Sequence, residues 1–252
     1  MSPSQPYVHY EIGPQGVATV EFGTPAHNSL PAEQLTQLAA AIRRAGADPD
    51  CRSVVLRSGG DRTFCAGASL TELRGIGTEA AGAAFFGGFA SVLEAMRTCP
   101  KFVVGRIQGK AVGGGVGLVA ACDLAYASPY AAVRLSELAI GIGAFVIAPA
   151  VRRRIGTTGL TRLSLHPRDF FPADEARDLG LYAAVLPDAA ALDRAVAAKA
   201  VELAGYGAAA TAAWKQALWS DAEDWPRSLE ERAALSGRLV TLPPAREALG
   251  AP

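Results

Sequence analysis

The chain has 252 residues, half of them apolar, and its 24 basic and 24 acidic side chains give a formal net charge of zero. This composition predicts a sizeable folded core and excludes the basic surface that nucleic-acid binding requires. The first ten residues lack the pattern of a secretory signal, and no apolar run is long enough to cross a membrane. We therefore expect a cytoplasmic protein that acts on a small molecule, without nucleic-acid or membrane partners.

The four cysteines and three histidines are scattered along the chain. No C-x-x-C pair is present, which favours reduced thiols in a reducing compartment over disulfides. The histidines lie far apart in sequence, so a zinc site or a Ser-His-Asp triad is not expected. We predict no bound metal.

Strands and helices are predicted to alternate from the N-terminus. Strands at residues 7–12 and 17–22, separated by a turn with glycine and proline, predict a hairpin. A helical pattern after Pro31, a buried strand at residues 53–57 and a second helix at residues 79–97 follow. This order is typical of a mixed α/β core.

Two turns of small residues each come after a predicted strand. Residues 63–68 form the first turn, and a strand at residues 102–107 leads to the second, the run Gly113-Gly114-Gly115. Shorter elements follow the glycines: a buried helix at residues 116–121 and strands at residues 124–127 and 132–135.

Beyond residue 144 the patterns are mostly helical, at residues 148–155, 158–163, 173–179, 192–203 and 208–218. A mixed α/β core with a helical C-terminal third is the simplest architecture for this order. We divide the chain into a core over residues 1–195 and a C-terminal helical region over residues 196–252.

The glycine run is the first candidate site. Glycines let a ligand approach the backbone, and the first turn of a helix offers N–H groups without internal partners. If the two turns lie on neighbouring strands, the N–H groups of Ala68 and Gly114 can converge on one carbonyl oxygen and stabilise an oxyanion. The alternative is that both turns only let helices pack closely against the sheet.

Glu137 is the strongest side-chain candidate for acid–base catalysis. It is bracketed by apolar residues, and desolvation there would raise the pKa of its carboxyl. The alternative is a structural role in the first turn of a helix that Ser136 caps. Asp123 directly follows an apolar helix, and we expect it to bond a backbone turn or a helix end.

Two other chemistries start from the same segments. Residues 115–120 satisfy G-x-G-x-x-A, and Glu137 lies 20 residues after Gly117, which is formally a dinucleotide-binding fingerprint. The extra strand pair before Glu137 argues against it. Cys65 is a conceivable nucleophile, but its apolar surroundings favour a buried structural thiol.

Five motifs occur in an order that is typical of one known family. They are Asn28-Ser29-Leu30, Phe64-Cys65-Ala66-Gly67-Ala68-Ser69-Leu70, Gly113-Gly114-Gly115 with Cys122-Asp123, Ser136-Glu137 with Gly141, and Ala173-Asp174-Glu175-Ala176 with Gly180-Leu181. Together they resemble the crotonase superfamily, the enoyl-CoA hydratase/isomerase family. The resemblance implies an α/β fold, a crotonase-like spiral of ββα units with a helical C-terminal trimerisation region, assembled as a homotrimer or homohexamer.

The resemblance also implies the substrate and the site. The substrate would be an acyl-CoA thioester whose carbonyl oxygen lies between two backbone N–H groups, by position those of Ala68 and Gly114. The backbone around Ala66 and Leu70 would contact the adenine side of CoA. No cofactor is implied, because coenzyme A is carried by the substrate.

The sequence departs from the family pattern at Gly117, where enoyl-CoA hydratases have a glutamate in addition to the one at the position of Glu137. Hydration needs a base for the water and an acid for the α-carbon, whereas the family's isomerases use a single glutamate. A finer resemblance points to methylglutaconyl-CoA hydratases and related dehydratases, which share a glycine at position 117.

Three hypotheses stay open. We place first a lyase that adds or removes water through an enolate, with Glu137 as acid and base. The second is an enoyl-CoA isomerase that uses Glu137 alone, and the third is a catalytically silent acyl-CoA-binding protein. Four aromatic residues could either line the acyl pocket or belong to the core: Phe85, Phe86, Phe89 and Phe145.

Overall fold

A computed structural model of the chain describes residues 4–222 and 224–251. Residues 1–3, at the start of the segment in which we expect no secretory signal, therefore lie outside the described residues. Two residues of the predicted C-terminal helical region, Glu223 and Pro252, also lie outside them.

The strands of the described chain form two sheets. They are β1 (Tyr7–Ile12), β2 (Val17–Gly23), β3 (Ser53–Ser58), β4 (Thr63–Cys65), β5 (Val103–Ile107), β6 (Lys110–Val112), β7 (Leu124–Ala127), β8 (Val133–Arg134) and β9 (Ala184–Val185). The larger sheet has the order β1-β2-β3-β5-β7-β9 and the smaller the order β4-β6-β8. Only β1 and β2 pair antiparallel among these neighbours, so the carboxyl ends of β4 and β6 meet at one edge.

Helices pack against the strands and against other helices. They are α1 (Ala32–Ala47), α2 (Leu70–Gly75), α3 (Glu79–Thr98), α4 (Gly114–Ala121), α5 (Ala148–Leu165), α6 (Ala173–Asp178), α7 (Ala189–Ala204), α8 (Ala208–Leu218), α9 (Trp225–Val240) and α10 (Pro243–Leu249). Short 3-10 helices cover Glu137–Ile140 and Ser220–Ala222.

Helix α3 packs against helices α1 and α9. It begins at Thr78, whose hydroxyl accepts a hydrogen bond from the N–H of Ala81 at 3.2 Å. Helix α9 crosses it without an intervening side chain, because a Cβ on Gly82 would lie only 2.6 Å from the Cα of Gly237. Helix α9 of the same chain is thereby held against α3.

The C-terminal helices differ in what they cover. Helix α7 packs on the larger sheet through Leu192, Val196 and Ala200. The boundary that we placed between residues 195 and 196 lies inside this helix. Helix α10 contacts α2 and the 3-10 helix at Glu137–Ile140. Within the described ranges, no helix has the length and apolar character to cross a membrane.

The predicted hairpin, the helices α1, α3 and α8 and the strand β7 are confirmed, and one prediction needs correction. The first half of the predicted turn at residues 63–68 is strand β4, because Thr63 and Cys65 pair with β6. The two helices predicted at residues 148–155 and 158–163 are confirmed as the two segments of α5, which are separated by a kink at Gly156, where φ is +68° and the backbone is not helical.

Candidate active site

The turn after β4 presents the N–H of Ala68. Leu30 bridges this residue on one side: its N–H donates to the oxygen of Gly67 at 2.8 Å, and its own oxygen accepts from the N–H of Ser69 at 3.1 Å. In such a parallel bridge, the residue between the two bonded neighbours directs its own N–H away from the bridging strand. The N–H of Ala68 has no hydrogen-bond partner among the described residues and can receive a ligand.

Asn28 holds the loop that leads to this bridge. Its buried amide donates to the carbonyl oxygens of Gly59 and Thr63, at 2.7 and 2.8 Å, and its amide oxygen accepts from the N–H of Thr24 at 3.0 Å. Its φ of +57° is one that asparagine tolerates better than most residues. Asn28 is a positioning residue that the sequence indicated only through a family motif.

The turn after β6 presents the N–H of Gly114. Gly113, with φ of +52°, donates its own N–H to the oxygen of Arg134 at 2.8 Å. Gly114 is the first residue of α4, so its N–H has no partner within the helix and lies at the positive end of the helix dipole. A Cβ on Gly67 would be 3.4 Å from the Gly114 nitrogen. The structure thus brings the two predicted donor turns side by side.

Glu137 begins the 3-10 helix Glu137–Ile140 and faces the glycine run. The side chain of Ser136 does not cap this helix, which ends at Gly141 with φ of +75°. The Glu137 Oε2 atom is buried and has no hydrogen-bond partner among the described residues. Burial raises the pKa of the Glu137 carboxyl to about 7. This carboxyl can therefore both accept and donate a proton near neutral pH.

One cavity is lined by Ala68, Gly114 and Glu137 together. Its other walls are mostly apolar, and they include Leu73, Phe86, Phe89, Ile142, Phe145 and Ile147. Phe85 is absent from the described lining and belongs to the hydrophobic core. The acyl pocket predicted from the sequence therefore holds three of the four candidate aromatic side chains.

Ala66 and Leu70 also line this cavity. Half of the Leu70 side chain is exposed, which puts this residue at the mouth. A contact of these residues with the adenine side of CoA remains a prediction.

Gly117 has no free space beside it. It is buried in α4, and a Cβ at this position would lie 2.3 Å from the Ile147 Cγ2 atom and 2.7 Å from the Ile147 Cβ atom. An aliphatic side chain therefore fills the place where a second carboxylate would begin. As a result, Glu137 is the one titratable side chain among the described residues that line the cavity.

The dinucleotide interpretation of the glycine run is wrong. A Cβ on Gly115 would lie 2.5 Å from the carbonyl oxygen of Cys65, so this glycine packs on β4 and offers no surface to a pyrophosphate. Burial raises the pKa of the Cys65 thiol to about 12, which fits a structural thiol. The described residues contain no group of three or more His, Cys, Asp or Glu side chains that could hold a metal ion.

Asp123 has the structural role expected from the sequence, together with a partner that the sequence did not reveal. Its Oδ2 atom accepts from the N–H of Val103 at 2.7 Å and lies 2.8 Å from the Lys215 Nζ atom, and its Oδ1 accepts from the indole of Trp219 at 3.1 Å. Lys215 is the one charged residue in the alanine-rich helix α8. A single charged residue in an otherwise uncharged helix was the signal in the sequence that could have indicated this buried ion pair.

The sequence model of one family, described as Enoyl-CoA hydratase/isomerase, matches residues 13–242, most of the chain. The chain belongs to the enoyl-CoA hydratase/isomerase family. It is thereby a member of the crotonase superfamily, as the five sequence motifs indicated, and the α/β crotonase fold is confirmed. The narrower likeness to methylglutaconyl-CoA hydratases remains a prediction.

Relatives within the enoyl-CoA hydratase/isomerase family carry the names of both reactions. A peroxisomal Delta(3,5)-Delta(2,4)-dienoyl-CoA isomerase of Arabidopsis thaliana is 29% identical over 210 residues, 77% of this chain and 74% of that protein. The mitochondrial enzyme of the same name from Rattus norvegicus is 30% identical over 60% of this chain, and the match spans half of the rat protein. The crystal structure of an enoyl-CoA hydratase from Mycobacterium avium has a TM-score of 0.83 and 29% identity, and the match covers 96% of this chain and 93% of that one.

Proposed function

We propose that this chain is an enoyl-CoA isomerase that moves a double bond between the β,γ and α,β positions of an acyl thioester. The contact of Ile147 with Gly117 carries the proposal, because it leaves Glu137 as the single carboxyl group among the described residues that line the cavity. The sequence alone placed hydration first. Isomerisation now comes first, because it needs one acid–base group where hydration ordinarily uses two.

The proposed reaction is a transfer of one proton between two carbons. The Glu137 carboxylate takes a proton from the α-carbon of the β,γ-unsaturated thioester, and the electron pair of the broken C–H bond passes to the carbonyl oxygen. The dienolate formed in this step then takes the same proton back at the γ-carbon, and the double bond becomes α,β. Glu137 ends the cycle ionised, as it began.

The N–H groups of Ala68 and Gly114 stabilise the negative charge on that oxygen. Backbone donors at fixed turns are already aimed at the developing oxyanion, so little reorganisation is needed when the charge forms. The proposed chemistry moves protons only, and coenzyme A enters as part of the substrate. No other cofactor is therefore required.

Hydration is the second candidate. The solved structure of an enoyl-CoA hydratase from Mycobacterium avium, at 29% identity over nearly all of this chain, favours it. In that reaction Glu137 would have to position the water as well as protonate the α-carbon. Besides Glu137, the polar side chains among the described lining residues are Ser136 and Ser236, and the Ser236 hydroxyl already donates to the carbonyl oxygen of Arg232 at 3.0 Å.

Incubation of the protein with 3-enoyl- and 2-enoyl-CoA substrates separates the two reactions by product mass. Isomerisation gives a product of unchanged mass whose double bond is now conjugated with the thioester, which ultraviolet absorbance detects, and hydration gives a product heavier by one water. Glu137→Gln should lower the rate by about 10²- to 10⁴-fold, because the amide cannot accept the proton. The exposed Glu230→Gln is the matched control and should keep the parent rate.

The other outcomes of this experiment are equally informative. A product that gains water would overturn the isomerase proposal in favour of the lyase. Binding of acyl-CoA without any turnover would support the catalytically silent protein. Full activity in Glu137→Gln would reject both enzymatic proposals.

The assembly and the location of the protein are further proposals. Helix α8 exposes Trp214 and Leu218 on its surface, and apolar side chains of this kind favour burial against another subunit. We propose a homotrimer or a pair of trimers, which sedimentation or light scattering would measure. A cytoplasmic location stays a prediction from the sequence.

A further inference from the structure

Large apolar side chains narrow the cavity at three places, and each of them packs on a glycine. A Cβ added to the glycine would lie 2.2 to 2.4 Å from that side chain in the pairs Gly114 with Phe89, Gly117 with Ile147, and Gly143 with Phe145. The glycine positions therefore give space to the cavity walls rather than to the substrate.

The remaining space is small. The cavity has a volume of about 70 Å³. Each water-sized atom takes about 10–15 Å³ of such space, so the cavity holds about five to seven non-hydrogen atoms. Because Ala68, Gly114 and Glu137 all line it, the carbonyl group and the reacting carbons must be among those atoms. Little room is left for a longer chain.

The walls also restrict the charge of the acyl group. No lysine, arginine or histidine occurs among the described residues that line the cavity. A carboxylate at the far end of the acyl group would therefore find no cationic partner among the described lining residues. Burial of an unpaired charge is strongly unfavourable, and the ionised form of Glu137 would repel it further.

We propose that the cavity selects a short, uncharged acyl group of about four to six carbons, with Phe145 as one of the apolar walls that limit its length. This proposal rests on the proposed function for the orientation of the thioester.

Binding of unreactive thioesters tests the proposal without any turnover. Calorimetry with butanoyl-, hexanoyl-, octanoyl- and dodecanoyl-CoA should show affinity that is highest for the first two and falls for the longer chains. Succinyl-CoA, with the same number of acyl carbons as butanoyl-CoA and a terminal carboxylate, should bind at least about 100-fold more weakly. Equal affinity across the saturated series, or tight binding of succinyl-CoA, would overturn the proposal.

Phe145→Ala should shift the preference toward longer chains. Each methylene that newly enters the cavity should tighten binding by about fourfold, so octanoyl-CoA gains most. The control is Phe171→Ala, which removes an equally large buried ring outside the cavity lining and should leave the ranking of chain lengths unchanged. An unchanged ranking in Phe145→Ala would show that another residue sets the limit.

These outcomes are separate from those of the proposed function. A protein that selects short saturated thioesters without isomerising their unsaturated analogues would retain the binding proposal and lose the catalytic one. A protein that isomerises unsaturated thioesters and binds long and short chains with equal affinity would retain the catalytic proposal and lose the binding one.

Discussion

The backbone of Gly113 lies directly against the carboxylate of Glu137. A Cβ on Gly113 would be 3.0 Å from the Glu137 Oε1 atom and 3.4 Å from its carboxyl carbon. Gly113 also has φ of +52°, a conformation that other residues adopt with strain. The carboxylate is thus covered by bare backbone on one side and by the apolar cavity on the other, with no cation beside it among the described lining residues.

The raised pKa of Glu137 predicts the pH dependence of the reaction. The proposed base must be ionised before it can remove the α-proton, so kcat/KM should rise with pH through about 7 and then level off. Steady-state rates measured from about pH 5 to about pH 9 would show this limb. If the rate instead rose through about pH 4.5, the ordinary pKa of a glutamate, the result would contradict the burial of the Glu137 carboxyl.

Burial of the Glu137 carboxyl also predicts that the free energy of unfolding falls as pH rises. The folded-state pKa lies above the unfolded value of 4.5, so the folded protein binds more protons between that value and about 7, and the free energy of unfolding falls across this window. Glu137→Gln removes the effect and should be more stable than the parent at pH 8 by at most about 3 kcal/mol, with little difference at pH 4. Denaturant unfolding at the two pH values measures it. If Glu137→Gln and the parent differed in free energy of unfolding by the same amount at both pH values, titration of Glu137 would not be linked to stability.

Two helical glycines should respond to alanine in opposite directions. Gly117→Ala places a methyl group against Ile147 and should destabilise the protein by about 1–3 kcal/mol. Gly87, inside helix α3, has nothing within 4 Å of an added Cβ, so Gly87→Ala should stabilise by about 0.5–1 kcal/mol. Chemical denaturation compares the pair. Ile147→Ala in the Gly117→Ala background should recover part of the loss, and a lack of recovery would mean that another contact causes it.

Removal of the Lys215 ammonium should be among the more damaging changes outside the site. Lys215→Met leaves Asp123 buried without its cation, and breaking such a pair costs about 3–5 kcal/mol. The comparison is Lys199→Met, whose ion pair with Glu202 lies near the surface and should matter little. Thermal and denaturant unfolding test both variants. Equal stability of the two would mean that the buried pair contributes no more than the surface pair.

Elements whose residues share one period could be predicted from the sequence. The hairpin, α1 and α3 carry regular apolar patterns, and the turns of small residues indicated Ala68 and Gly114, which the structure brings to the same cavity. Glu137 was found because apolar neighbours surround it in sequence, and the structure buries its carboxyl as expected.

Contacts between distant segments could not be predicted in this way. The space beside Gly117 is filled by Ile147, which is 30 residues away, and no local pattern shows whether a glycine position is open or occupied. The pairing of Thr63 and Cys65 with β6 also depends on a strand that lies far along the chain. A short segment of this kind has too few residues for its period to distinguish strand from turn.

The two N–H groups that we propose as oxyanion donors, at Ala68 and Gly114, belong to the backbone. Substitutions in the surrounding sequence therefore leave both groups in place as long as the turns keep their shape and position 114 stays a glycine, since Phe89 fills the space of a Cβ there. The identity of the reaction then resides in the few side chains across the cavity. A new activity can arise by exchanging those side chains alone, on an inherited scaffold that keeps the two proposed donors in place.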